Sequence, residues 1–213
     1  MYGENQEDIF YYITTLNENY AQPAMPENAQ EGIIKGIYKV KTFEAKNDYK
    51  VKLLGSGSIF QEAMKAALIL SKEYDIKVEI YSVTSYNELT REAQDLEREN
   101  LLNLDTTAKT PYIEKVLGSD TDSIIISATD YMKAYSEQLR PYIKGNFKAL
   151  GTDGFGRSDS RANLRKFFEV DTNFIVYTTL AELAINGKID KKVALEAKNK
   201  YAIDTNKINP RNA

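Results

Sequence analysis

The sequence predicts an α/β protein with a mostly parallel sheet and helices on both faces of that sheet. Short segments with strand-like patterns alternate along the chain with segments whose apolar residues recur at helical spacing. Residues 123–128, SIIISA, form a nearly continuous apolar run, which indicates a strand covered on both faces. Strands that alternate with helices favour a parallel sheet with right-handed crossovers.

The first predicted element is a strand over residues 10–16, FYYITTL, because this run is aromatic and β-branched. Residues 17–32 are mainly polar and contain Pro23 and Pro26, so they predict a connector. We expect a domain boundary within this connector.

Two strands and a helix are predicted next, in the order that opens an α/β unit. Residues 38–43 and 49–54 alternate apolar and polar side chains, which favours an antiparallel pair with one buried face. After a Gly/Ser turn, residues 59–74 carry apolar side chains at helical spacing. A short strand is predicted at 78–82 and a long charged helix at 87–102. The run ELTREAQDLERE in that helix is typical of a solvated face, and partner binding there is the less favoured interpretation.

The second half of the chain continues the alternation after the apolar strand at 123–128. Thr129 or Asp130 is expected to cap a helix that runs to about Leu139 and ends before Pro141. The remaining predicted elements are a strand at 147–150, a Gly/Asp/Ser loop at 151–160, helices at 161–168, 173–185 and 190–200, and a polar tail at 202–213 in which Pro210 argues against a final helix.

Composition removes several kinds of chemistry from the 213-residue chain. It contains no histidine, cysteine or tryptophan. A serine–histidine pair, a thiol nucleophile, a zinc site of the ordinary nitrogen or sulfur type and a disulfide are therefore excluded. The net charge is −3, with no basic field to attract nucleic acid or an anionic membrane, so neither partner is expected. No signal peptide or spanning segment is recognisable, and the cytoplasm is the expected compartment.

A first candidate site is the turn formed by Ser56, Gly57 and Ser58, where a predicted strand ends and a helix begins. Backbone amides at such a turn can hold an anion. The turn lacks both the dinucleotide-binding glycine pattern and the phosphate-binding loop pattern, so the signal is weak.

A second candidate is the loop at residues 151–161, GTDGFGRSDSR, the densest glycine and polar cluster of the chain. It follows a predicted strand, and ligands of such sheets usually bind at the carboxyl ends of the strands. Arg157 and Arg161 could clamp a carboxylate group, with a neighbouring acid as proton partner. That acid would be Asp153 or Asp159.

A structural interpretation is favoured for both loops. Ser58 would cap the helix that follows the first loop, and Ser158 or Asp159 would cap the helix after the second. The glycines would supply positive φ angles, and the arginines would pair with local acids or with another subunit. A thiamine or metal site would show a Gly-Asp-Gly motif followed by Asn, whereas the second loop reads Gly-Thr-Asp-Gly with no such continuation, so no metal site is expected.

Several strings taken in order resemble one known family. They are YYITTLNENYAQPAMPE, EGIIKGIY, LLGSGSI, YSVTSYNEL, ATDYMK, GTDGFGRSDSR and the closing elements FEVD, ELA and NPR. Together they are similar to the C-terminal end of the homodimeric bacterial pyruvate dehydrogenases, the thiamine-dependent decarboxylating component of the complex. The resemblance covers essentially the whole chain, and GTDGFGRSDSR is its most specific motif.

The resemblance implies a three-layer fold of the transketolase C-terminal-domain type, mostly parallel with one antiparallel strand. Residues 1–36 would be the tail of a pyrimidine-binding domain, with its last strand, followed by a linker. Residues 37–213 would form the C-terminal domain.

The resemblance also implies a function for a longer parent enzyme. That enzyme oxidatively decarboxylates pyruvate with thiamine diphosphate and Mg²⁺, and transfers the acetyl group to the lipoyl group of dihydrolipoyl acetyltransferase. The family's catalytic, cofactor-binding and metal-binding residues lie in the earlier domains, and none maps onto this sequence. We therefore expect a structural domain that supports a homodimer together with the remaining domains, inactive alone. The alternatives are a small-anion-binding regulatory module at the two loops and a docking surface for the acetyltransferase core.

Overall fold

The computed structural model describes residues 4, 6, 8, 10–13, 15, 16 and 18–213. Its strands are β1 (Ile37–Phe43), β2 (Asn47–Gly55), β3 (Ile76–Val83), β4 (Ile124–Ala128) and β5 (Asn146–Leu150). Its α-helices are α1 (Gln30–Lys35), α2 (Phe60–Tyr74), α3 (Tyr86–Leu102), α4 (Tyr112–Leu117), α5 (Lys133–Glu137), α6 (Arg161–Phe167), α7 (Thr172–Ile185) and α8 (Lys191–Lys200). Short 3₁₀ turns lie at Gly57–Ile59, Arg140–Tyr142 and Pro210–Asn212.

The five strands form one sheet in the order β1-β3-β2-β4-β5. Strands β3, β2, β4 and β5 are parallel, and β1 pairs with β3 in the antiparallel direction. The predicted fold class is therefore confirmed, including the single antiparallel strand.

The predicted pairing of the first two strands is wrong. β1 and β2 run in opposite directions, but β3 lies between them and pairs with both. Alternation of apolar and polar residues identifies the buried face of a strand but not its neighbour. Leu53 and Leu54, which are adjacent in β2, are both fully buried, because this central strand is covered on both faces.

The predicted early strand also differs from the structure. Residues 10–13, 15 and 16 belong to no strand, and Thr14 lies outside the described residues. Phe10 and Tyr12 are 84% and 87% exposed. Aromatic and β-branched residues favour a strand only where a neighbouring strand offers backbone partners, and none of the described strands lies beside this segment.

The helix predicted from Thr129 to Leu139 is shorter and begins later, at Lys133. The Thr129 side chain accepts a hydrogen bond from the Tyr131 backbone amide (3.2 Å), which turns the chain before the helix starts. Helices α1 and α4 were not predicted, since six residues are too few for helical periodicity to show.

Two apolar cores lie on opposite faces of the sheet. One packs Leu53 of β2 and Ile126 of β4 against α2, α7 and α8. The other packs Leu54 of β2 and Ile125 of β4 against α3 and α4. Successive side chains of a strand point to opposite faces, so both sets of residues in β2 and β4 must be apolar. This explains the continuous apolar run that marked β4 in the sequence.

Helix α3 uses part of its charged surface to bind neighbouring elements of the fold. The Glu92 carboxylate accepts the Tyr112 backbone amide at 3.0 and 3.2 Å, and Glu97 accepts the Tyr142 hydroxyl at 2.7 Å. These bonds hold the start of α4 and the turn before β5 against α3. None of the helices in the described part of the chain is long and apolar enough to cross a membrane.

We predict that Leu70→Ala destabilises the protein far more than Leu68→Ala, although both residues lie in α2. Leu70 is fully buried between α2 and the sheet, whereas Leu68 is 40% exposed. The first change should lower the free energy of unfolding by about 2 to 5 kcal/mol and the second by less than about 1 kcal/mol. Urea denaturation of both variants measures the difference. Equal losses would contradict the position of the core.

Candidate functional site

The carboxyl edge of the sheet brings three loops together. Residues 56–58 follow β2, Thr129 and Asp130 follow β4, and Thr152 and Asp153 follow β5. In the sheet, β3 lies on one side of β2 and β4 lies on the other side. The chain therefore reverses the direction in which it adds strands, and the reversal falls between β2 and β4. Ligands of doubly wound sheets usually bind there.

The turn after β2 is filled by a carboxylate of the chain itself. The Ser58 hydroxyl donates a hydrogen bond to Asp130 Oδ2 at 3.2 Å. Gly57 has a φ of +54°, and a Cβ atom at this position would lie 2.8 Å from Asp130 Oδ1. The position that an external anion would take against this turn is therefore occupied by Asp130. Ser58 does not cap α2, contrary to the favoured interpretation of the sequence.

A buried hydroxyl network lies beneath the same edge. Ser56 donates to the Thr129 hydroxyl at 2.7 Å, and Ser136 donates to the Ser127 hydroxyl at 2.7 Å. The Tyr86 hydroxyl lies 2.8 Å from the Ser127 hydroxyl. Burial raises the pKa of Tyr86 more than these hydroxyl contacts lower it, so the phenol stays neutral. The network joins β2, β4, α3 and α5 without supplying a charged group.

A crevice of about 570 Å³ opens beside this network, between the ends of β2 and β3. Ser56, Gly57 and Tyr86 line it together with Tyr131 and Tyr135. Its lining, as far as the described residues form it, contains no Lys, Arg, Asp or Glu. The crevice thus offers neither an acid–base pair nor a cation for an anionic ligand.

The structure gives different partners to the residues singled out in the 151–161 loop. Asp153 accepts the Lys133 backbone amide at 3.0 Å, and Arg157 stacks on the Phe167 ring at 4.3 Å from its centroid. Arg161 Nε lies 3.0 Å from the Glu18 carboxylate. The two arginines therefore do not form the predicted clamp around one carboxylate.

The helix cap in this loop also lies one residue after Asp159 and two after Ser158, the two predicted caps. Ser160, not Ser158 or Asp159, caps α6 by accepting the Asn163 backbone amide at 3.3 Å. Asp159 instead accepts the Asn163 side-chain amide at 2.8 Å, and Ser158 is exposed. Among the glycines of the loop only Gly154 has a positive φ, of +93°.

The structure does bring Ser58 and Arg161 to one shallow cavity of about 190 Å³. Asp130 and Thr152 line the same cavity, and the rest of its lining is mainly apolar. The two candidate loops are thus neighbours, as the anion hypothesis required. That hypothesis is nevertheless not supported, because the Asp130 carboxylate already lies against the Ser58 turn.

Glu62 is a buried carboxylate that the sequence analysis missed. Its oxygens accept hydrogen bonds from Arg165 Nη1 (3.0 Å), Lys65 (3.0 Å), the Thr172 backbone amide (3.1 Å) and the Thr172 hydroxyl (2.6 Å). Burial alone would raise the pKa of Glu62, but the bonds from Thr172 and Lys65 outweigh it, and the pKa lies below its ordinary value. A sequence signal existed, since Glu62 lies three residues after Ile59 and four before Ala66, on the apolar stripe of α2.

Arg165 extends this contact to the segment that precedes the sheet. Its Nη2 atom lies 3.0 Å from the Tyr20 hydroxyl, and Gln61 donates to the Ala21 carbonyl oxygen at 2.8 Å. The series Glu62–Arg165–Tyr20, which we call the linker latch, therefore fastens residues near position 20 to α2 and α6. The Arg161–Glu18 ion pair lies beside it.

The residues present do not fit a metal-dependent cofactor. Within the described part of the chain, no three Asp, Glu, His or Cys residues are placed to hold a metal ion. The full sequence contains no histidine or cysteine.

The fold and its carboxyl edge define an α/β domain of a recognised class. The family model described as the transketolase-like TK C-terminal domain matches residues 36–171, and the chain belongs to this family. The folded unit extends beyond the matched range, because Leu180 of α7 and Ala197 of α8 lie in the same core as α2.

The particular relatives are pyruvate dehydrogenase E1 components. The protein of Escherichia coli K12 is 54% identical over 212 residues, which cover 99% of this chain and 23% of the relative. That of Buchnera aphidicola subsp. Baizongia pistaciae is 51% identical with the same coverage. A solved transketolase from Leishmania mexicana is 21% identical to this chain. The match covers 71% of this chain and 18% of the transketolase chain, with a TM-score of 0.48.

The resemblance inferred from the sequence is confirmed by the family model and by the two pyruvate dehydrogenase E1 components. The stretch of the Escherichia coli relative that matches is its C-terminal part. This chain spans about a quarter of the length of the curated relatives it matches.

We predict that Ser127→Ala lowers the free energy of unfolding by about 1 to 3 kcal/mol, because the hydroxyls of Tyr86 and Ser136 lose a buried partner. Ser123→Ala is the matched control, since the Ser123 hydroxyl is buried next to the same strand but makes no hydrogen bond. The control should not lower stability, because removing a buried hydroxyl that has no partner removes a cost and no hydrogen bond. Thermal unfolding of both variants tests this, and an equal loss would rule out the network as the cause.

We also predict that Glu62→Gln costs about 3 kcal/mol of stability at pH 7, because Arg165 loses its buried carboxylate partner. A carboxyl whose pKa is lowered in the folded state contributes stability above its unfolded pKa and loses it as the pH falls through the folded pKa. The difference from the unsubstituted protein should therefore shrink between roughly pH 5 and pH 3. Glu73→Gln, at an exposed ion pair of the same helix, should cost less than about 1 kcal/mol. Denaturation curves across this pH range measure both effects, and a difference that is constant with pH would contradict the role of the Glu62 charge.

Proposed function

We propose that this chain is the C-terminal structural domain of a pyruvate dehydrogenase. The parent enzyme oxidatively decarboxylates pyruvate and transfers the acetyl group to the lipoyl group of dihydrolipoyl acetyltransferase. The observation that carries the proposal is 54% identity to a pyruvate dehydrogenase E1 component along 99% of this chain. Since the match covers 23% of that relative, the reaction belongs to a larger protein.

The division of the chain follows from the same proposal. Residues 1–36 are the tail of a pyrimidine-binding domain and a linker, and residues 37–213 are the C-terminal domain. The exposure of Phe10, Tyr12 and Ile13 supports this division, because exposed apolar residues close together mark a surface that another part of the protein covers. The start of the family match at residue 36 agrees with the boundary.

The linker latch gives this domain its structural role. A series of hydrogen bonds that begins at the buried Glu62 and ends at Tyr20 holds the linker against α2 and α6. The path of the linker is thereby fixed where the linker meets the domain. The linker in turn sets the orientation of the preceding domains. The C-terminal domain acts as a rigid support for the dimer in which the parent enzyme works.

Thiamine diphosphate and Mg²⁺ belong, in this proposal, to the preceding domains of the parent enzyme. The partners are the remaining domains, a second parent chain and dihydrolipoyl acetyltransferase, and the compartment is the bacterial cytoplasm. A docking surface for the acetyltransferase core on this domain is the alternative, and a pull-down with that partner tests it.

We predict that removing the equivalent of residues 37–213 from a full-length parent enzyme abolishes both pyruvate turnover and the dimer. The physical reason is that the support for the dimer is lost and apolar surface is exposed. Turnover assays and sedimentation measure these outcomes, with the intact enzyme as control. The 213-residue chain alone should bind no thiamine diphosphate in calorimetry. A truncated enzyme that stays dimeric and active, or micromolar binding by the isolated chain, would refute the proposal.

A further inference from the structure

A small polar cavity lies at the amino ends of β2 and β4, at the edge of the sheet opposite to the candidate site. Its volume is about 180 Å³. The polar residues that line it are three lysines, three acids and one serine, namely Lys50, Lys52, Lys77, Asp48, Glu79, Asp120 and Ser123. Neither the proposed function nor the family comparison assigns a role to this cavity.

Ser123 is the first unusual group in this cavity. Its hydroxyl is the one buried side-chain polar atom of the described residues that has no hydrogen-bond partner. The residue is 1% exposed and lies directly before β4. It is two residues before Ile125, so the two side chains lie on the same face of the sheet. Burying a hydroxyl without a partner costs free energy, so such a group needs an explanation.

Two lysines of the cavity have unused hydrogen-bond donors. An ammonium group has three N–H donors. Lys52 donates one to the Leu117 carbonyl oxygen, and its nearest carboxylate, that of Glu79, is 4.0 Å away. Lys77 lies 3.7 Å from Glu44 and 4.0 Å from Asp48, both longer than a hydrogen bond.

The carboxylates of the cavity, in contrast, have partners. Glu79 accepts hydrogen bonds from Lys39 and from the Tyr81 hydroxyl, the latter at 3.0 Å. Asp120 forms an ion pair with Lys50. Burial raises the pKa of Glu79, but these bonds more than offset it, and the bond from Lys50 lowers the pKa of Asp120, so both stay ionised. Glu79 and Asp120 are thus already engaged, whereas Lys52, Lys77 and Ser123 have spare donors.

The backbone beside the cavity is also unusual. Lys50 has a φ of +54°, a left-handed conformation that residues other than glycine seldom adopt. It lies within the register shift between Asn47 and Val51 of β2. The side chain of the same residue forms the ion pair with Asp120.

We propose that this cavity binds a small molecule with a single carboxylate group. The carboxylate oxygens would accept hydrogen bonds from the Ser123 hydroxyl and from the ammonium groups of Lys52 and Lys77. A single negative charge fits best, because Asp48, Glu79 and Asp120 would repel a dianion. The proposal uses residues and an edge of the sheet different from those of the two candidate loops, and it does not depend on the proposed function.

The test uses acetate as the probe and the 213-residue chain as the protein. We expect a saturable rise in melting temperature with sodium acetate that sodium chloride at the same ionic strength does not produce. Ser123→Ala and Lys52→Gln should each weaken acetate binding roughly tenfold or more, the loss of one hydrogen bond to a charged group. Lys192→Gln, an exposed lysine on α8, is the matched control and should bind acetate like the unsubstituted chain.

Three results would overturn the proposal. They are a melting shift that does not saturate, an acetate affinity that is unchanged in Ser123→Ala, and binding of inorganic phosphate without binding of acetate. Ser123→Ala removes no hydrogen bond from the protein, so it should fold normally. If Lys52→Gln fails to fold, Lys77→Gln provides the same comparison, because Lys77 forms only long ion pairs.

Discussion

The structure depends on the burial of β2 and β4 on both faces. Leu53 and Leu54 in β2, and Ile124, Ile125 and Ile126 in β4, are each no more than 1% exposed. Their side chains alternate between the two faces, so the sheet is stable in water only when each face is covered by helices. That requirement places α2, α7 and α8 on one face and α3 and α4 on the other. It also brings the loops after β2 and β4 together at one edge, where the chain reverses its winding.

The chain uses the polar groups at that edge for its own structure. Asp130 lies against the turn at Ser58, and Thr129, Ser127 and Ser56 exchange hydrogen bonds with neighbouring hydroxyls. Buried polar groups that are fully paired make a structure specific, but they leave no acid, base or cation for a ligand. At this edge, where many doubly wound proteins carry ligand sites, the hydroxyls and the Asp130 carboxylate are therefore bonded to one another.

The strands and long helices could be predicted because periodicity reports burial directly. The central strand β4 and helix α2 are examples, since their apolar residues follow the geometry of a covered strand and of a half-buried helix. Strand order could not be predicted in the same way, since nothing in residues 37–55 shows that β3 would insert between β1 and β2. The partners of single side chains were harder still. Ser160 rather than Ser158 caps α6, and Asp130 rather than an external anion meets Ser58, because such choices depend on distances of an ångström or less.

Glu62 shows why the missing histidines say little about the biological role of this chain. Both oxygens of this buried carboxylate accept hydrogen bonds from Arg165, Lys65 or Thr172. Burial would raise its pKa, but the bonds from Thr172 and Lys65 outweigh burial and lower it, so the group stays ionised at neutral pH. The contact runs outward through Arg165 to Tyr20 and so connects the domain to the chain that precedes it. The Glu62 charge therefore fixes the positions of Arg165 and Tyr20 and does not take part in proton transfer. It is what a supporting domain needs, and it agrees with a division of labour in which the chemistry belongs to other domains of a larger enzyme.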